Sequence, residues 1–146
     1  MIRIYHIDYI MISTVTVNTT NVSPDSRYLA YTVDTSGEEV YNLYIKDLNT
    51  GKVEVVKRNV YSFSFGPKNT AYPEIYYTVA NNLMRTNHMY WLLEWLVMIS
   101  YRHVLGTSIT HDNLVYEETS SYYYCDVKRT NDGVWLEMKW FIQRNI

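Results

Sequence analysis

The sequence predicts an all-β fold built from repeated small antiparallel sheets, and three observations carry that prediction. Sixteen tyrosines in 146 residues, with many valines, isoleucines and threonines, favour pleated, half-buried surfaces on which aromatic and β-branched side chains pack across strands. Runs of such residues are separated by clusters of Gly, Pro, Asn, Asp and Ser, which turn an extended chain. The order of turn and strands then comes round a second time, with 47 residues from Tyr28 to the matching Ile75.

The first repeat opens at Ser23-Pro24-Asp25, which suits a type I turn because proline pre-sets φ and the short polar side chains bond the local backbone. Tyr28 to Val33 (YLAYTV) is apolar or aromatic at nearly every position and reads as an inner strand covered on both faces. Asp34 to Glu39 is polar and holds Gly37, which takes positive φ without steric cost, so the chain turns there. From Val40 to Leu48 the residues alternate, with Tyr41, Leu43 and Ile45 on one face and Asn42, Tyr44 and Lys46 on the other. Asn49-Thr50-Gly51 fits a short hairpin loop, and Val53 to Val56 returns antiparallel.

In the second repeat, Phe65-Gly66-Pro67-Lys68-Asn69 takes the place of the opening turn and Ile75 to Val79 (IYYTV) that of YLAYT. Tyr101 to Leu105 and Leu114 to Glu118 take the places of the next two strands. Tyr122 to Lys128, a turn at Thr130 to Gly133 and Trp135 to Met138 begin a further hairpin. Repeats of about 40 to 50 residues, each a small antiparallel sheet, mark a β-propeller. Evenly spaced hairpins of a plain antiparallel sandwich give the same spacing.

Composition narrows the function classes. Thirteen Lys and Arg against fifteen Asp and Glu leave a formal charge of −2, so there is no basic excess to neutralise a nucleic-acid backbone. The single cysteine, Cys125, forms no internal disulfide, and the opening MIRIYHIDYI lacks the basic start and long apolar core of a secretory signal, so a cytoplasmic setting is expected. The glycosylation triplets at Asn18 and Asn21 matter only in a secreted chain.

Three segments, SPDSRYLAYTVDTSGEEVYNLYIKDLNTG (Ser23 to Gly51), YRHVLGT (Tyr101 to Thr107) and LVYEE (Leu114 to Glu118), resemble the prolyl oligopeptidase family of serine peptidases, and within it oligopeptidase B. The resemblance implies a partial β-propeller of about two four-stranded antiparallel blades. It divides the chain into a segment at 1–21 unlike the family, a partial N-terminal propeller at 22–138, and an unassigned tail at 139–146. In that family the propeller caps an α/β-hydrolase domain carrying a Ser-Asp-His triad and limits access, so that peptides rather than folded proteins are cut. Ser26 departs from the glycine usual after the proline and aspartate of the turn, a change that a type I turn tolerates.

Between Leu83-Met84-Arg85 and Tyr101 the family runs on almost directly, whereas here MYWLLEWLVMIS (Met89 to Ser100) intervenes, an apparent insertion at 89–100. Its apolar stretch at 89–99 is too short to cross a membrane, which takes about 20 helical residues. It reads as a candidate short helix with Trp91, Trp95 and Met98 on one face, able to dock on a partner or a membrane surface, although an interfacial helix wants basic residues and the run supplies only Glu94. A retained intron is the preferred explanation of the run, and a native insertion loop is the alternative.

No residue stands out as a site. A nucleophile elbow needs Gly-x-Ser-x-Gly for its tight strand-to-helix turn, and the five glycines are never close enough together to form one. His6, His88, His103 and His111 lack zinc-type pairing, and Cys125 in its tyrosine-rich strand reads as a small buried hydrophobe. Glu38-Glu39 lie in a bend, while Glu117-Glu118 are strand neighbours that point to opposite faces. The expectation is no catalytic, cofactor-binding or metal-binding residue. The chain reads as the gating part of a serine oligopeptidase, inactive alone, with short peptides as the family's substrates and self-association through exposed strand edges. The alternatives are a small β-sheet protein-binding module or a non-functional truncated product.

Overall fold

The computed structural model describes residues 15–82, 96–120 and 123–142. Thr16–Val22 (β1), Tyr28–Asp34 (β2), Asn42–Asp47 (β3) and Val53–Lys57 (β4) form one four-stranded antiparallel sheet, with spatial order following chain order. Val60–Phe65 (β5), Glu74–Asn82 (β6), Leu96–Val104 (β7) and Asn113–Glu118 (β8) repeat that meander, and Tyr123–Arg129 (β9) with Leu136–Ile142 (β10) open a third sheet. These are two propeller blades and the first hairpin of another, as expected. The opening strands β1 and β5 complete each blade, and all of β1 but Val22 lies in the 1–21 segment, ahead of the repeat expected from the sequence.

The blades stack face to face, because each sheet has an apolar face to bury. Ala30, Leu43, Ile45 and Val56 of the first blade meet Val60, Phe63, Phe65, Ile75, Tyr77 and Val79 of the second in one cluster, with Tyr28, Ile99, Tyr101 and Leu105 packed around it. The second blade's other face is covered by the third sheet, where Cys125 and Val127 are buried. Two hydroxyls fasten that seam. The N–H groups of Val127 and Arg129 face away from β10 and donate to Ser62 Oγ at 3.2 Å and Ser64 Oγ at 3.0 Å. The second and third sheets therefore touch closely at their first strands, β5 and β9.

Two sequence expectations are corrected. YLAYTV is covered on one face only: along β2, Ala30, Thr32 and Asp34 are buried while Leu29, Tyr31 and Val33 stay partly open. Among the described residues nothing packs on its second face, where Tyr31 stacks on its cross-strand partner Tyr44 at 5.6 Å. The candidate helix at 89–99 is not helical where it is described. Leu96 to Ile99 belong to β7, paired with β6 from Asn82↔Leu96 onward, and Met98 and Ser100 point into the seam with the third sheet. A short apolar run fits helix or strand equally well, and here the open edge of β6 decides. Residues 89–95, with Trp91 and Trp95, lie outside the described residues.

Candidate functional site

The polar groups collect in three places, and the first is the end of the blades where the opening turns lie. The turns at Ser23 and Thr130 are the same device. Ser23 Oγ donates to Asp25 Oδ1 at 2.5 Å and accepts the Tyr28 N–H at 2.8 Å; Thr130 Oγ1 donates to Asp132 Oδ1 at 2.5 Å and accepts the Trp135 N–H at 3.0 Å. The aspartates also accept the N–H groups of Arg27 and Val134. The hydroxyl bond is the main reason that both carboxyls titrate below their ordinary value. Between these turns, the Lys68 N–H of the second blade donates to Gly133 O at 3.0 Å, which ties the turns of the second and third sheets to each other.

The second place is a buried network at the core. His103 Nδ1 lies 2.6 Å from Asp112 Oδ1, and Tyr77 Oη donates to Asp112 Oδ2 at 2.5 Å. Asp112 follows a single turn of 3₁₀ helix, Ile109–His111, whose loop carries it back over β7. Burial, reinforced by the carboxylate, pushes the Tyr77 hydroxyl far above its usual titration range. The histidine and aspartate side chains are only 3% and 4% exposed, so no substrate reaches this pair and its role is to tie β6, β7 and the 3₁₀ loop together.

The third place is Glu74 at the start of β6. It accepts from Arg102 Nε at 2.6 Å and from Tyr76 Oη at 3.0 Å. Gly66 makes room for it: a Cβ there would sit 2.7 Å from Glu74 Cγ.

The remaining candidates are dispersed. Cys125 is buried beside Ser100 Oγ, and burial raises its thiol pKa, which suits a core residue. His111 is exposed on the 3₁₀ turn. Glu117 is exposed, whereas Glu118 turns inward to accept from Tyr116 Oη and the Ser120 N–H. Glu38 and Glu39 are exposed in the bend, whose backbone N–H groups are gathered by Asp34. Sequence reading missed the His103–Asp112–Tyr77 network, because its members lie on three elements with no shared spacing. Both turns were legible as turns, whereas the Ser/Thr-x-Asp geometry they share came only with the structure.

Comparison with known proteins places this architecture. The family model for the prolyl oligopeptidase N-terminal beta-propeller domain matches residues 12–143. Protease 2 of Moraxella lacunata is 26% identical over 121 residues, 82% of this chain and 16% of that protein. Dipeptidyl aminopeptidase BI of Pseudoxanthomonas mexicana is 31% identical over 118 residues, 79% of this chain and 14% of that protein. Among solved structures, oligopeptidase B from Leishmania major superimposes with a TM-score of 0.67 at 19% identity, over 88% of this chain and 16% of that one. The chain thus spans about a sixth of the length of the relatives it matches. No helix among the described residues is long and apolar enough to cross a membrane.

Proposed function

Because the chain belongs to the prolyl oligopeptidase family and forms part of its N-terminal β-propeller, we propose that it serves as a section of the gating propeller of a serine-type oligopeptidase. The observation that carries this reading is the succession of two complete four-stranded blades and the opening hairpin of a third, within a family match over residues 12–143. In this role the blades form a wall that admits short peptides to a hydrolase centre and excludes folded proteins. The working compartment is the cytoplasm. The sequence holds no Gly-x-Ser-x-Gly elbow, and among the described residues the His103–Asp112 pair is closed to substrate, which supports a chain that takes its nucleophile from another part of the protein.

The test is an assay of the purified 146-residue chain on fluorogenic peptides cleaved after Arg, Lys or Pro, with and without a serine-directed reagent. Cleavage at background level is expected. Reagent-sensitive cleavage would overturn the reading.

Self-association is the second element of the proposal. Trp135, Trp140, Phe141 and Ile142 on and beside β10 are exposed, and β10 pairs only with β9 among the described residues, so an apolar edge strand is open to another chain. Light scattering should show a concentration-dependent increase in mass; a monomer at all concentrations would count against it.

The apparent insertion is best confined to the residues before Leu96. Leu96 to Ser100 are ladder residues of β7, facing β6 along their whole length and β8 from Met98, which supports counting them with the blade. Peptides spanning 89–100 should appear in the mass spectrum of the endogenous protein, and their absence would restore the retained-intron explanation.

A further inference from the structure

At the end surface formed by the opening turns lies a cleft of about 390 Å³ shared by all three sheets. Asn21 and Pro24 come from the first, Ser64 and Lys68 from the second, and Lys128 and Arg129 from the third. Three of these are cationic, and none is in an ion pair among the described residues. Arg129 Nη1 is buried without a hydrogen-bond partner, a costly state for a charged donor.

We infer that this cleft is an oxyanion site, in which Arg129, Lys68 and Lys128 hold a carboxylate or phosphate group. The backbone under the cations is fixed before any ligand arrives, since the Arg129 N–H is bound to Ser64 Oγ and the Lys68 N–H to Gly133 O. Arg129 lines the cleft with a planar guanidinium, flanked by the flexible ammonium groups of Lys68 and Lys128, a set of donors suited to the acceptors of an oxyanion. The one acidic residue in the lining, Asp132, is committed to its own turn: Oδ1 accepts from the Thr130 hydroxyl and the Val134 N–H. Its carboxylate keeps its charge and acts on Lys68, so three cations against this one anion leave the lining a positive excess. The volume exceeds that of a bare phosphate ion, so the terminus of a peptide also fits. This inference stands whether or not the chain serves a peptidase.

The test is titration of the ¹⁵N-labelled chain, followed by NMR, with inorganic phosphate, with N-acetyl-Gly-Gly as the free acid, and with its amide. Saturable shifts are expected at the Arg129 side chain and at the Lys68 and Gly133 amides. Arg129→Gln should weaken binding about tenfold or more and Lys128→Gln a few-fold, while Lys139→Gln, an exposed lysine outside the cleft, should leave it unchanged. Binding of phosphate alone would identify phosphate as the natural group, and binding of the acid but not the amide would identify a peptide carboxylate. Equal binding of acid and amide, unchanged affinity in Arg129→Gln, or no saturable shift would overturn the site. A spectrum without dispersion would do so too, because the cleft exists only with all three turns in place.

Discussion

Ser26 and Gly133 occupy the same position in two copies of one turn, with φ of 59° and 74°. Each donates its N–H to the carbonyl three residues back, Ser23 in one turn and Thr130 in the other, at 2.9 Å. A type I turn would tolerate the serine, but the structure puts it in the left-handed region, where a Cβ costs about 1 kcal/mol. Ser26→Gly should therefore raise stability in urea unfolding by about 0.5–1 kcal/mol after the flexibility of glycine in the unfolded chain is offset. Lower stability would mean that the serine makes a compensating contact.

The seam between blades rests on Ser64, which is 1% exposed and accepts the Arg129 N–H. Ser64→Ala leaves that N–H without its partner, and an orphaned buried donor costs about 1–3 kcal/mol. Hydrogen exchange should show the Arg129 amide losing protection first. If protection at Arg129 is untouched, the hydroxyl is not what holds the seam.

Gly66 leaves the space that Glu74 fills, since a methyl group would meet Cγ at 2.7 Å and Oε1 at 2.9 Å. Gly66→Ala should displace Glu74 from Arg102 and Tyr76 and destabilise the chain by about 1–3 kcal/mol. The denaturation midpoint reads this directly, and a wild-type midpoint would show that the glutamate moves aside freely.

Acid should weaken the fold from a defined direction. Asp25 and Asp132 are held below the ordinary 3.8 mainly by the Ser23 and Thr130 hydroxyls. At Asp34 and Asp47 burial opposes the charge, but donors from Ser36 and its neighbours, and from Arg27, outweigh it. Each carboxyl is thus more acidic folded than unfolded, and the unfolded chain takes up protons first as pH falls. Stability should be complete above about pH 5 and drain away as pH drops through the folded values. Urea midpoints measured from pH 7 to pH 3 should decline, less steeply in Asp34→Asn; a flat profile would contradict these shifts.

Much of the blade architecture was legible because strands and turns announce themselves locally. The alternation through Asn42 to Asp47, the Gly51 hairpin and the turn at Thr130 to Gly133 needed only neighbours in sequence, and all are present. The polar β1, TVNTTNV, was missed because it is exposed along nearly its whole length and carries no apolar face to read.

By itself, the sequence determined the strand-and-turn rhythm of this protein, its repeat and its family, since these depend on residue type and spacing. Only the tertiary structure decided which faces are covered. YLAYTV and IYYTV are near copies, yet Leu29 and Tyr31 stay partly open while Ile75, Tyr77, Thr78 and Val79 are all buried. Burial is a property of the neighbour: the second blade lies between two sheets, and the first has its described partner on one side alone. The same holds for the His103–Asp112–Tyr77 network and the Arg129 cleft, whose members meet only because separate elements fold onto one another.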